Sequence, residues 1–249
     1  MKLARRTLLL ALAQAGLQTE ATAFGEGGAF HARLLSFPSG KWQQELSAAR
    51  RWSLELTRRT SAPGRLATRL VRPTSDELLQ EPFAVWAGAK DPGALPPRVV
   101  RALRQYLRMG GILLIDDRLP GKGEFSASAR REMARVLPES AVVPLGQEHV
   151  LFKTFYILEQ PQGRVDGPVK MDAIVRGKTA QVLFLKHDLL GALATNDGEW
   201  ARPMEAKQPH ARELALRFAV NIAMYVLCSD YKDDQVHAPH LMRRRHQRR

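Results

Sequence analysis

Two strand-like apolar runs end in residues that could do chemistry. Residues 110–118 read GGILLIDDR, so Ile112 to Ile115 is closed by Asp116, Asp117 and Arg118. A second run, AQVLFLK, is followed by His187 and Asp188. Ligands collect at the carboxyl ends of strands in open parallel sheets, so the two groups could share one rim. Two carboxylates with a histidine form a donor set for a divalent cation, or an acid/base pair. His149, in EHVLF, supplies a further titratable ring. Asp116, Asp117 and His149 are the catalytic candidates, and Asp188 is a ligand-binding candidate beside them. Glu124, Arg130, Arg131 and Glu132 lie in a segment able to reach the same rim, with Arg131 and Glu132 as binding candidates. A structural use competes with all of this. An aspartate ending a buried strand can accept bonds from free N–H groups in the turn RLPGKG, and Arg118, Arg130 or Arg131 can pair with its neighbour. Consecutive residues of an extended strand point to opposite sides, so only one of the two aspartates is expected to face a site.

Other candidates are more scattered. Tyr156, ahead of the Gly- and Pro-rich EQPQGRVDG, could line a pocket. Asn196, Asp197 and Trp200 in ATNDGEW combine polar groups with an aromatic, which suits sugar stacking; the competing reading is an ordinary turn with a half-buried tryptophan. Asn221 sits amid apolar residues, as a satisfied helix-to-helix contact would. His237 and His240 have the spacing of weak metal ligands in a polar tail. Gly121-Lys122-Gly123 is too short for a phosphate loop. Cys228 is the single cysteine, so thiol-rich metal sites and internal disulfides are excluded, and it reads as a small core hydrophobe. No cofactor is expected, a divalent cation at the carboxylates being the one open possibility.

The elements that position these residues are legible from periodicity. Residues 29–36 suit a first strand, 42–59 an amphipathic helix stopped by TSAPG, and 65–73 an alternating second strand. FAVWAG, after Pro82, is a buried strand. Pro96-Pro97 opens a helix whose Val99, Val100, Leu103, Tyr106 and Leu107 recur at helical spacing, with Gly110 as its C-cap. GILLI, a helix over 126–137 capped by Ser126 or Ser128, a strand over 180–186 and a long apolar helix over 211–228 follow. Strands reading as continuous apolar runs between helices imply a mostly parallel α/β sheet covered on both faces.

The chain has 249 residues and a formal net charge of +13. The excess is not one patch: the last 13 residues carry five arginines and no acid. Nucleic acid is therefore not an expected partner. No stretch approaches the roughly 20 apolar residues of a membrane span. The start, MKLARRTLLLALAQAGLQTEATA, has a positive region, a short apolar core and an A-x-A, the layout of an export signal cleaved after residue 23. Arg5-Arg6-Thr7-Leu8-Leu9 resembles a twin-arginine signal, with the general secretory route equally open. This implies one domain over 24–229 and a basic, disordered tail over 230–249, in a periplasmic or otherwise extracytoplasmic protein.

The order of PPRVVRALRQYLRMGGILLIDD, FSASARREMARVLPE, EHVLFKTFY, KHDLLGAL and RELALRFAVNIAMYVL resembles the bacterial family called domain of unknown function 4159. That family is placed in the class I glutamine-amidotransferase-like superfamily. The resemblance covers about 30–228 and implies a flavodoxin-like three-layer sandwich; it carries no reaction. Laying GILLID on the superfamily's strand–elbow pattern puts Asp116 where the catalytic cysteine stands, so glutamine hydrolysis is not expected. The leading expectation is a non-catalytic module binding a small molecule or envelope partner. The alternatives are a carboxylate- or metal-assisted hydrolase of envelope saccharide or peptide, and a structural subunit whose arginine tail makes peripheral contact with anionic lipid.

Overall fold

The computed structural model describes residues 28–37 and 43–246, with side chains described to residue 229. The export signal expected over 1–23 and the side chains of the arginine tail, with His237 and His240, lie outside the described residues. Nine strands and five α-helices follow in chain order: β1 (Arg33–Leu35), α1 (Gln43–Thr60), β2 (Leu70–Val71), β3 (Phe83–Gly88), α2 (Pro97–Arg108), β4 (Ile112–Asp117), α3 (Glu124–Val136), β5 (Val142–Leu145), β6 (Met171–Arg176), β7 (Thr179–Leu185), α4 (Leu189–Leu193), β8 (Thr195–Asn196), β9 (Glu199–Trp200) and α5 (Ala211–His246). Seven strands form one sheet in the order β2-β1-β3-β4-β7-β6-β5. Neighbours from β2 to β7 pair in parallel, and β6 is antiparallel to both β7 and β5.

The side-chain alternation of β4 divides the core. Ile112 and Leu114 join Ala48, Trp52 and Leu56 of α1, the residues of α4, and Phe218 to Leu227 of α5 on one face. Leu113 and Ile115 join Val99 to Leu107 of α2 and Phe125 to Val136 of α3 on the other. The result is a mostly parallel sheet between two helical layers, a three-layer α/β sandwich. Burial on both faces explains why β3 and β4 read as unbroken apolar runs. Trp52 Nε1 donates to the Ala219 carbonyl at 2.6 Å and ties α1 to α5. Gly88 ends β3 where an added Cβ would lie 2.2 Å from the Phe125 ring, so the close approach of α3 requires glycine there.

Several expectations are corrected. The second strand is only Leu70–Val71, because the Arg65–Pro73 segment lies at the sheet edge and buries only Val71 and Pro73. Ser126 does not cap α3: the helix begins at Glu124 after Gly123, whose φ is 68°. Cys228 is exposed rather than in the core. Asn221 is buried and satisfied, but its partners are the backbone of Phe155 and Tyr156, not a second helix. The α5 backbone stays helical through His246, past the limit expected near Ser229. Among the described residues no helix is long and apolar enough to cross a membrane.

Candidate functional site

β4 delivers Asp116 and Asp117 to its carboxyl end, and both are fully buried. Extended geometry sends them to opposite faces, as the register with Leu114 and Ile115 requires. Each meets the start of a different helix. Asp116 accepts the Leu189 N–H at 3.0 Å and the Leu190 N–H at 2.8 Å, the first two free donors of α4. Asp117 accepts the Leu119 N–H at 3.0 Å on one oxygen. Its other oxygen takes the Ser126 N–H at 3.2 Å and the Ser126 hydroxyl. Helix starts leave such donors unpaired, and α3 has no side-chain cap of its own, so the strand supplies the acceptor from across the turn.

Asp188 completes the arrangement. It stands just before α4 in the left-handed region, φ 52°, and accepts the Gly191 N–H at 3.0 Å. A Cβ at Gly191 would lie 2.1 Å from the Asp188 carboxylate, so this cap works only with glycine at that position. The first three free N–H groups of α4 are thus divided between Asp116 and Asp188. The Arg164 guanidinium pairs with Asp188 and with Glu205. Arg202 lies 4.0 Å from Asp188 and 3.7 Å from Glu45. Arg118 pairs with Glu45, which is buried, and Glu45 Oε2 and Arg118 Nε have no hydrogen-bond partner among the described residues.

Burial, and then the nearby Asp188 charge, push the Asp116 carboxyl up to about 8, against the pull of its two N–H donors. Asp188 is also raised by burial, while Arg164 pulls it back towards the charged form. Of the two carboxyls, Asp116 is therefore the one held more strongly towards its neutral form. His187 is pushed down to about 4 by burial. The residue is packed under a loop whose Gly163 and Gly167 approach it too closely for a Cβ, which would lie 2.1 Å from the His187 carbonyl oxygen at Gly163.

His149 does not join this group. Its Nδ1 accepts the Leu151 N–H at 3.3 Å, capping the short 3-10 turn Val150–Lys153. Its ring lies 5.8 Å from that of Tyr225, whose hydroxyl accepts the Ala180 N–H at 2.7 Å. Ala180 is the second residue of β7 and Asp188 follows its far end, so roughly 20 Å of chain separates them. Arg131 and Glu132 do a local job: Arg131 grips Asp91 with two contacts of 3.0 Å, and buried Glu132 accepts the Leu95 N–H at 3.0 Å. Together they fasten the loop after β3 to α3. Arg130 pairs with Asp172 of β6, and Glu124 is exposed in the first turn of α3. Tyr156 lies under Arg217, 5.2 Å from its ring centre, on the α5 side. Trp200, 38% exposed, packs against two guanidiniums, Arg51 at 4.6 and Arg212 at 4.3 Å from the ring centre, which occupy the ring where a sugar was expected to stack.

Glu45, Arg164 and Arg202 were not singled out by sequence reasoning. They come from three distant segments and carry no local pattern. Among the described residues, no group of three His, Cys, Asp or Glu side chains could hold a metal ion.

Fold and strand-end chemistry together define a class: a three-layer α/β domain whose edge carboxylates close helix starts. Within that class the chain belongs to the family described as domain of unknown function (DUF4159), whose model matches residues 31–227. No curated protein matches the chain.

Proposed function

We propose that this is an exported, periplasmic, non-catalytic binding module of class I glutamine-amidotransferase-like ancestry. One observation carries the non-catalytic reading: all four oxygens of Asp116 and Asp117 accept bonds from N–H groups at the starts of α4, the 118–123 turn and α3. A nucleophile or general base must reach substrate, and both carboxyls are buried, 0 and 1% exposed, with every oxygen held by the protein's own donors. The missing cysteine at the elbow position supports the same reading, as does the distance of His149 from the carboxylates. The export assignment rests on the positive region, apolar core and A-x-A of residues 1–23.

The test is direct. The chain lacking residues 1–23 is assayed with p-nitrophenyl esters, glycosides and amides, and the expected result is turnover no faster than buffer. Turnover that disappears in a folded Asp116→Asn variant would overturn the proposal. Expression of the full chain with N-terminal sequencing of the periplasmic fraction checks the address; a product retaining Met1 in the cytoplasm would refute it.

A further inference from the structure

Trp200 is more informative as a strut than as a stacking platform. Asp197 and Gly198 have φ of 49° and 88°, the positive pair that a tight two-residue hairpin turn between β8 and β9 requires. The hairpin is fastened to α1 in two places. The Thr195 N–H donates to Ser47 Oγ at 3.0 Å, and the indole of Trp200 lies against the Arg51 guanidinium. Between the two elements runs an open groove of approximately 490 Å³, lined on the helix side by Ser47, Arg50, Arg51 and Leu54 and on the hairpin side by Asn196 and Asp197. That size suits a small ligand.

The charges of its walls are unequal. The Arg51 guanidinium is balanced by Glu55 at 2.8 Å. Arg50 is exposed and has no partner among the described residues. Behind Trp200, Arg212 donates to the carbonyls of Ala192 and Arg202 and pairs with no acid among the described residues. Against these cations the groove presents one acid, Asp197. That acid and the Asn196 amide stand on the wall opposite Arg50, where they offer acceptors and a donor rather than a hydrophobic surface.

Building on the binding-module reading, we infer that this groove binds an anionic saccharide, with its carboxylate or phosphate on Arg50 and its hydroxyls on Asn196 and Asp197. The arginine fork suits either anion, and carboxyamide and carboxylate side chains exchange bonds with neighbouring hydroxyls. The hairpin, held by Ser47 and Trp200, pre-forms the wall, so little ordering is lost on binding.

The experiment titrates the chain lacking residues 1–23 with glucuronic acid, glucose 6-phosphate, glucose and acetate, followed by amide chemical shifts and calorimetry. Glucuronic acid or glucose 6-phosphate should shift residues 47–54 and 195–198 and bind about tenfold more tightly than glucose or acetate, the value of one charge-assisted contact. Which of the two anionic sugars is tighter identifies the acid. Arg50→Glu should lose at least about tenfold in affinity with an unchanged melting temperature, since the side chain holds nothing else. Asn196→Ala and Asp197→Asn should erase the preference for sugar over acetate. Glucose binding as tightly as its acids, an unaffected Arg50→Glu variant, or silence of all probes at about 10 mM overturns the inference. Shifts confined to residues elsewhere overturn the groove but leave the binding-module reading standing. Hydrolysis of a glucuronide with shifts in this groove overturns the non-catalytic reading alone.

Discussion

Replacing Asp116 by asparagine tests whether a buried acid at the centre of the sheet is neutral in the folded protein. Its carboxyl is pushed up to about 8 by burial and by Asp188, from an unfolded value of about 3.9. A group whose folded pKa is raised stabilises the fold fully below the unfolded value, and that stability is lost as pH rises through the folded value. The loss has a fixed maximum slope, one proton or about 1.4 kcal/mol per pH unit. His187 acts in the opposite sense: its folded value near 4 lies below the unfolded one, so its contribution grows with pH until about 6.5. The two slopes oppose each other below pH 6.5, and above it the Asp116 slope is no longer opposed by His187. Wild-type stability, from urea unfolding, should therefore be nearly level from pH 5 to 6.5 and fall by about 1 kcal/mol per unit from 6.5 to 8. Asparagine keeps one acceptor but turns an amide towards either the Leu189 or the Leu190 N–H, a cost of about 1–3 kcal/mol at pH 5. Because asparagine does not titrate, the gap between variant and wild type should close as pH approaches 8. A gap that stays constant from pH 6.5 to 8 would show Asp116 to be ionised at neutral pH and refute the reasoning.

Asp117→Ala leaves the Leu119 and Ser126 N–H groups and a buried hydroxyl without acceptor, and should cost about 2–4 kcal/mol with faster amide exchange at the start of α3. Gly191→Ala puts a methyl 2.1 Å from the Asp188 carboxylate, and calorimetry should show a melting temperature lowered by several degrees, roughly 2 kcal/mol for a strained cap. Tyr225→Phe strands the Ala180 N–H inside the sheet and should lower urea stability by about 1–2 kcal/mol. Cys228, being exposed, should react with a thiol reagent in the native protein as fast as it does in urea; protection without denaturant would contradict its placement.

What the sequence revealed follows from how local each signal is. β3 was legible to the residue and β4 apart from its ends, GILLI giving way to Ile112–Asp117, because strands buried on both faces read as apolar runs. α2 was legible because Pro97 opens it and Gly110 closes it, with φ of 95°. β5 and β6 were not legible: β5 exposes Val142 and Val143 and contains Pro144 at a sheet edge, and β6 mixes Asp172 and Arg176 with apolar residues. Their pairing is decided by β7 beside them rather than by their own pattern. The same limit applies to the candidate site. The divergence of Asp116 and Asp117 follows from extended geometry and was readable. The distance of His149 depends on Tyr225 and Ala180, and the gathering of Glu45, Arg164 and Arg202 depends on the start of α1 meeting two loops. Neither leaves a trace in residue spacing.

The doublet at the end of β4 has a consequence for how such an edge evolves chemistry. A central strand flanked by helices on both faces must end where two helices begin, and each start carries unpaired donors worth about 1–3 kcal/mol if left buried. One aspartate per face resolves both, and two adjacent positions in extended geometry reach both faces by necessity. Asp116 and Asp117 occupy those positions. The arrangement makes the strand end rigid and buries both carboxyls, whereas a nucleophile or base must be open to substrate. Selection for a rigid edge and selection for a reactive one thus compete for the same two side chains. Here three of the oxygens hold helix starts and the fourth holds the turn at Leu119. Under the proposed binding role, a ligand makes its contacts further out, where α1 and the hairpin present Arg50, Asn196 and Asp197.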